Sequence, residues 1–259
     1  MKACTTSNKD NKKRTVLAIA ILILLWQLAA LIFPVKFLIA TPLQVVRKLS
    51  ELLGEIDFWQ RIAYSCFRIL TGLVLAIVLG VLCAMVSLKR KFLREIINQF
   101  SNLLKSTPVI VIAIVLLIIF SDNSVTAVVV LMACFPVIYI NFLEGLDNTD
   151  VKMLELAKVY DFTEYKKWKY IRFRSAKSHL KSAVLITSGM AWKAGIAAEV
   201  MGLPDKSIGE AIYSSKIFLY TEEIFAYALV IILLSKVTEK LMIFIFDTFY
   251  LVFMESKND

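Results

Sequence analysis

The sequence is poor in the residues that bend, break or decorate a chain. Its 259 residues include only 8 glycines and 5 prolines, which leaves little room for linkers or disordered tracts. There is one histidine, His179, and four cysteines, Cys4, Cys66, Cys83 and Cys134. The cysteines lack metal-site spacing, and three of them lie in apolar runs and read as small core residues. His179 has no cysteine or carboxylate cluster around it, so nothing points to metal or histidine chemistry. No Gly-x-x-x-x-Gly-Lys-(Ser/Thr) occurs, which excludes a phosphate-binding loop of that type. An intramembrane enzyme would need His-Glu-x-x-His, paired aspartates or a Ser/His arrangement at membrane depth, and none is found.

Hydrocarbon is what the chain has in excess. It is 59% hydrophobic with a mean hydropathy of +0.72, whereas a soluble globular chain sits nearer half apolar. The length suits five or six spanning helices of about twenty residues. The formal charge of +9 does not call for nucleic acid, because membrane proteins collect Lys and Arg on their cytoplasmic side.

A basic tail, 1–14, ends in Lys12-Lys13-Arg14 and precedes a first span over 15–33. That run exceeds the apolar core of a signal peptide, about 7–15 residues, so it is expected to stay as an uncleaved anchor. Pro34 closes it. Residues 34–60 form an extracytoplasmic segment in which Thr41-Pro42 opens an amphipathic helix with Leu43, Val46, Leu49, Leu52 and Leu53 on one face. The core, 61–247, begins with a span to Leu88 carrying Arg68 near its start, and with Gly72 and Gly80 placed for close helix packing. Next comes a surface helix, 92–104, whose Phe92, Ile96, Phe100 and Leu103 are expected to face inward. Two antiparallel spans, 107–120 and 125–142, are joined by Ser121-Asp122-Asn123-Ser124. A loop, 144–181, leads to the fifth span, Ala183 to Met201. An outside segment, 202–223, and a sixth span from Ile224 to about Phe246 complete the core, followed by a cytoplasmic tail, 248–259. In the sixth span Lys236, Glu239 and Lys240 are spaced to pair and are expected to face helix neighbours. The inferred cytoplasmic pieces 1–14, 89–105 and 144–181 hold 19 Lys and Arg, and the outside pieces 34–61, 121–124 and 202–223 hold 6, which places both termini inside.

The loop between the fourth and fifth spans organises the rest. It reads as two short helices. Asp150 caps the first, whose inward face is Met153, Leu154 and Ala157, and Asp161 ends it in a left-handed turn. Thr163 caps the second, with Tyr165, Trp168 and Ile171 on one stripe that anchors it to the spans.

These residues carry a family resemblance. Glu155-Leu156-Ala157, Asp161, Ile171 and Phe173 resemble the Glu-Ala-Ala…Gly…Ile-x-Leu-Pro loop of bacterial ABC-importer permeases. Leu156 stands for the first Ala, Asp161 for the Gly and Arg174 for the Pro. Ser65-x-x-Arg68-Ile69-Leu70-x-Gly72, Ala191-Trp192, Ala198-Glu199…Gly202, Ile208-Gly209-x-x-Ile212 and Thr221-Glu222 are similar to elements of the branch that handles nitrate, taurine, aliphatic sulfonates, related small anions or thiamine precursors. The resemblance covers most of 40–245. It implies an all-α, polytopic membrane protein of about six transmembrane helices, with the MetI-like type I importer fold of the binding-protein-dependent inner-membrane components and a cytoplasmic coupling helix. It also implies a multi-pass protein of the bacterial plasma membrane, a non-enzyme that forms the path for a small, anionic solute. The implied partners are separate ABC ATPase subunits, an extracytoplasmic substrate-binding protein, a second permease copy and the bilayer. The chain itself would bind no cofactor, with ATP and magnesium held on the ATPases. Glu155, Leu156, Ala157, Asp161, Ile171 and Phe173 are the implied coupling residues. A membrane scaffold or regulatory protein derived from the same fold is the alternative, and an intramembrane enzyme is a further one.

Two charges in the fifth span are candidate path residues, Lys193 and Glu199. A lone cation at mid-span costs roughly 2.5–3.5 kcal/mol on insertion scales, so Lys193 is expected to face a partner or a water-filled path. Glu199 is six residues on, about 120° around a helix, so the two do not pair along one face.

Overall fold

The computed structural model describes Thr6–Ile32, 40–120 and 124–255. The expected break at Pro34, most of the polar turn at 121–124, Cys4 and the ends of both tails lie outside the described residues. Every regular element among the described residues is helical: α1 Thr6–Ile32, α2 Pro42–Leu52, α3 Ile56–Lys89, α4 Lys91–Ser106, α5 Val109–Ile119, α6 Val125–Asp147, α7 Val151–Val159, α8 Glu164–Lys167, a π-helical turn Trp168–Arg172, α9 Phe173–Gly202, α10 Ile208–Ile217 and α11 Thr221–Glu255. The chain divides into two compact units, Met1–Trp59 with Ala211–Val230, and Gln60–Glu210 with Ile231–Asp259.

In the first unit, Thr41 and Gln44 form a capping box at the start of α2, with Pro42 in the first turn. The inward residues of α2 are Val45 and Leu52, whereas Leu43, Val46 and Leu53 are exposed. The expected apolar face is thus split between the protein and its surroundings. Lys48 reaches Glu223 at 3.6 Å, and Phe58 packs on Tyr227 with ring centroids 5.8 Å apart.

In the second unit, α6 packs extensively against α9 and closely against α3. Small residues make this possible. A methyl group on Gly145 would stand 2.8 Å from Ala176 Cα, and one on Gly80 would stand 2.7 Å from Ile138 Cγ2. One on Gly72 would collide with the Ala127 carbonyl oxygen, so Gly72 and Gly80 do serve packing. Ile112, Ala113 and Leu116 of α5, Val125, Val129 and Ala133 of α6, and Ala194 and Ala198 of α9 close one buried cluster. None of the glycines is used for a left-handed turn. Asp161, Leu203, Lys206 and Leu219 take that conformation instead.

Among the described residues three helical stretches are long and apolar enough to cross a membrane: Ile56–Lys89, Val125–Asp147 and Glu164–Gly202. The pair α4 and α5, bent by 104°, would make a fourth. The expected first and sixth spans correspond to α1, whose apolar part is Ala20–Ile32, and to α11, which carries Lys236, Glu239 and Lys240. Lys236 bonds Glu239 at 2.7 Å along one helix, with the lysine side chain 67% exposed rather than turned to a neighbour.

The expected straight span over 107–120 is instead a short helix that, with α4, makes a broken span or a re-entrant loop. Its helix, α5, has 11 residues, about 16 Å, against a hydrocarbon core of about 30 Å. The expected orientation of α4 is also reversed. Phe92, Ile96, Phe100 and Leu103 are exposed, and the side facing α6 carries Arg94, bonded to Asp147 at 2.6 Å, and Asn98, bonded to Tyr139 at 2.8 Å.

Candidate functional site

The loop between α6 and α9 is built by three local devices. Asp150 caps α7 by accepting a 2.9 Å bond from the Lys152 N–H. At the other end the Phe162 N–H reaches Ala157 O at 2.8 Å and the Asp161 N–H reaches Lys158 O at 3.1 Å. That pair of bonds is a Schellman motif, with Asp161 at φ 49 where glycine is usual. Thr163 then caps α8 through the Lys166 N–H. Lys167 bonds the exposed Glu164 carboxylate at 2.8 Å. From α8 the chain runs through the π turn directly into α9, so the second loop helix is the foot of the fifth span and not a separate anchor. Tyr165 is exposed, while Trp168 and Ile171 are half-buried. Trp168 lies between two cations, with Lys89 Nζ at 5.8 Å and Arg172 Cζ at 5.3 Å from its ring centre.

Two groups of the expected coupling residues separate here. Leu156, Ala157 and Ile171 line one cavity of about 610 Å³, together with Met153, Tyr160 and Arg174. Arg174 makes no hydrogen bond or ion pair among the described residues. Phe173 sits elsewhere, in an aromatic cluster with Phe142, Tyr250 and Phe253 at centroid distances of 6.3, 6.0 and 5.3 Å. Lys181 reinforces that attachment of α11 through a 2.7 Å bond to Asp247. Glu155 and Leu156 point outward, but Ala157 is 3% exposed within its own chain. Ala157 thus faces inward as expected, and its small size lets α7 lie against its own fold. Met153, expected inward, is exposed.

The two candidate path residues have opposite fates. Lys193 is exposed on α9 and finds no partner among the described residues. Glu199 is fully buried. Its Oε2 accepts bonds from Ser65 Oγ at 2.7 Å and the Gly209 N–H at 3.2 Å. Ser65 Oγ accepts in turn from the Ile208 N–H at 2.9 Å, and Arg68 donates to Asp205 O at 3.2 Å. Glu199 is thus a clasp between α3 and the segment after α9, not a side chain lining an open path. Ser65, Glu199 and Gly209 are each visible as motif residues. Their partnership is not, since it spans 134 residues between Ser65 and Glu199. Among the described residues no group of three or more His, Cys, Asp or Glu side chains could hold a metal ion.

A model of the family described as binding-protein-dependent transport system inner membrane component matches residues 76–249. The chain belongs to this family. It is an ABC importer permease, an integral inner-membrane component of a kind that works with ATPase and substrate-binding partners. A putative aliphatic sulfonates transport permease protein, SsuC, of Bacillus subtilis is 23% identical over 223 residues, 85% of this chain and 80% of that protein. The formylaminopyrimidine transport permease protein ThiX of Halalkalibacterium halodurans is 28% identical over 137 residues, 52% of this chain and 54% of that one. The permease fold also matches the crystal structure of an amino acid ABC transporter with histidines, at a TM-score of 0.55 and 14% identity over 82% of this chain and 97% of the other. The region matched by the family model contains α6 to α9 whole, and so contains the capped loop.

Proposed function

We propose that two copies of this permease line a path for a small organic anion of the sulfonate class, and that α7 is the element gripped by an ATPase subunit. In this reading both termini and the 144–181 loop are cytoplasmic, and the chain carries out no chemical step. The single observation that carries the substrate class is Lys193, a cation in the middle part of α9 that is exposed from its own fold and unpaired there. Left in lipid it would be costly, so it faces water in the path or the second copy. A fixed cation complements a sulfonate and offers nothing comparable to an uncharged ring. The sulfonate-permease relative also matches over most of both lengths, the pyrimidine-permease relative over about half. Glu155, Leu156, Asp161, Ile171 and Phe173 keep a coupling role: Glu155 and Leu156 meet the ATPase, Asp161 sets the turn, and Ile171 and Phe173 seat the loop on the spans.

The test is uptake of an alkanesulfonate by proteoliposomes holding the assembled importer and its binding protein. Lys193→Met should cut uptake at least tenfold with assembly intact, and Lys193→Arg should restore most of it. Unchanged uptake in Lys193→Met would remove the anion reading.

A further inference from the structure

We propose that the elbow between α3 and α4 is a binding site for an anionic phospholipid of the cytoplasmic leaflet. The proposal rests on the reading above that the 144–181 loop is cytoplasmic, which carries the elbow with it because Lys89 stands over Trp168 of that loop. Three independent observations meet there.

The first is the groove itself, about 380 Å³ and lined wholly by apolar side chains and a thiol, chiefly Leu79, Cys83, Ile96, Ile97, Phe100 and Phe135. The second is the outward turn of α4. Phe92, Ile96, Phe100 and Leu103 are all exposed, and α4 meets α5 at 104°. With α5 packed beside the spanning α6 and α9, a helix at that angle runs along the membrane surface and not through it. An amphipathic helix in that position buries its apolar face among the acyl chains.

The third observation is charge. Lys89-Arg90-Lys91 occupies the corner of the elbow. Lys89 stands over the Trp168 ring, but Arg90 and Lys91 are exposed and make no ion pair among the described residues. Glu95, one turn along from Lys91, does not bond it. Cys83 lies about 9 Å below Lys89 along α3, and Ile96 about 8 Å beyond Lys91 along α4. A phosphate held by Arg90 and Lys91 therefore leaves its acyl chain at the mouth of the groove. Basic residues beside spanning helices on the cytoplasmic side are suited to anionic headgroups. A second copy seated on the same face would have to cover both cations, whereas a leaflet supplies hydrocarbon and negative charge together.

The experiment uses the intact permease in nanodiscs of phosphatidylglycerol or phosphatidylcholine, with a photoactivatable group on the acyl chain. Cross-linked peptides containing Ile96–Phe100 or Phe135 are expected with phosphatidylglycerol, at least fivefold above phosphatidylcholine, and Arg90→Gln/Lys91→Gln should abolish that preference. Equal labelling by the two lipids, or a preference that survives the double substitution, overturns the proposal. So does efficient Cys83-to-Cys83 cross-linking between copies by a bis-maleimide with no lipid label, which would mean that protein covers the groove. Failure of the underlying orientation is read separately: a cysteine at Lys166 would then label from outside whole cells, whatever the lipid result.

Discussion

Ser65 Oγ donates a 2.7 Å hydrogen bond to Glu199 Oε2, joining two fully buried side chains 134 residues apart. Each also receives a backbone N–H from the segment that starts α10, Ile208 onto Ser65 and Gly209 onto Glu199. Ser65 Oγ, Glu199 Oε2 and the two N–H groups thus satisfy one another, while Glu199 Oε1 is buried with no hydrogen-bond partner among the described residues. A buried polar group left unpaired costs about 1–3 kcal/mol, so this clasp is sensitive to losing any member.

Ser65→Ala leaves the Ile208 N–H without an acceptor and takes one donor from Glu199. It should lower stability by about 1–3 kcal/mol, read as a reduced unfolding midpoint of the purified protein in detergent. Ser87→Ala is the control. Ser87 is equally deep but bonds Tyr139, whose hydroxyl keeps its 2.8 Å bond to Asn98. Its loss should cost under about 1 kcal/mol. Equal effects would mean that the Ser65 bonds carry no special weight.

Gly145 and Gly189 separate packing from helix propensity. A methyl group on Gly145 meets the Ala176 backbone at 2.8 Å, whereas one on Gly189 meets nothing closer than Ser235 Oγ at 3.8 Å. Gly145→Ala should cost about 1–3 kcal/mol through overpacking. Gly189→Ala should be neutral, or gain up to about 1 kcal/mol from helix propensity. Thermal unfolding of the two variants side by side checks the contrast.

How much of this was legible in the sequence depends on which force decides each feature. The caps at Thr41 and Asp150, the left-handed turn at Asp161 and the close approach at Gly72 and Gly80 follow from local sterics and hydrogen bonding, and all could be read directly. The direction taken by an amphipathic face could not. Lipid satisfies Phe92, Ile96, Phe100 and Leu103 as well as a protein core would, so periodicity reveals the face of α4 but not what it meets. The same ambiguity hid the split face of α2. Ala157 shows a related limit: a small residue marks a close approach without saying what makes it. The Ser65–Glu199 bond, like the cavity shared by Leu156, Ile171 and Arg174, exists only once distant helices are packed.

Asp161 tests the turn itself. A non-glycine residue in the left-handed region pays a steric cost that glycine avoids, about 1 kcal/mol. Asp161→Gly should slow hydrogen exchange at the Phe162 amide, which is bonded to Ala157 O. Asp161→Val should speed it, because a β-branched residue tolerates this conformation worst. Faster exchange in Asp161→Gly would show that the aspartate contributes more than its backbone geometry.

Orientation is checked with one residue. Lys166 is exposed in the loop, so a single cysteine there, in a background without the native cysteines, should react with a membrane-impermeant maleimide only after permeabilisation. Labelling in intact cells would invert the topology.

The last prediction concerns where α7 meets its ATPase. Leu156 is 55% exposed and Ala157 3% exposed, though they are neighbours, so their substitutions should fail differently. Leu156→Asp removes apolar area from the outward face and puts a charge there without disturbing the chain's own packing. The variant should insert, keep its unfolding midpoint and yet release the ATPase, with at least a tenfold drop in co-purification. Ala157→Trp forces a large ring between α7 and the fold beneath it, and overpacking of this kind costs about 1–3 kcal/mol. It should therefore loosen the loop itself, seen as faster exchange at Lys152–Phe162, before any effect on the ATPase is measured. Leu156→Ala should lie between wild type and Leu156→Asp, because it loses area without adding charge. If Leu156→Asp retained the ATPase while Ala157→Trp released it with loop exchange unchanged, the outward face of α7 would not be the docking face, and the grip would have to fall on the inward side.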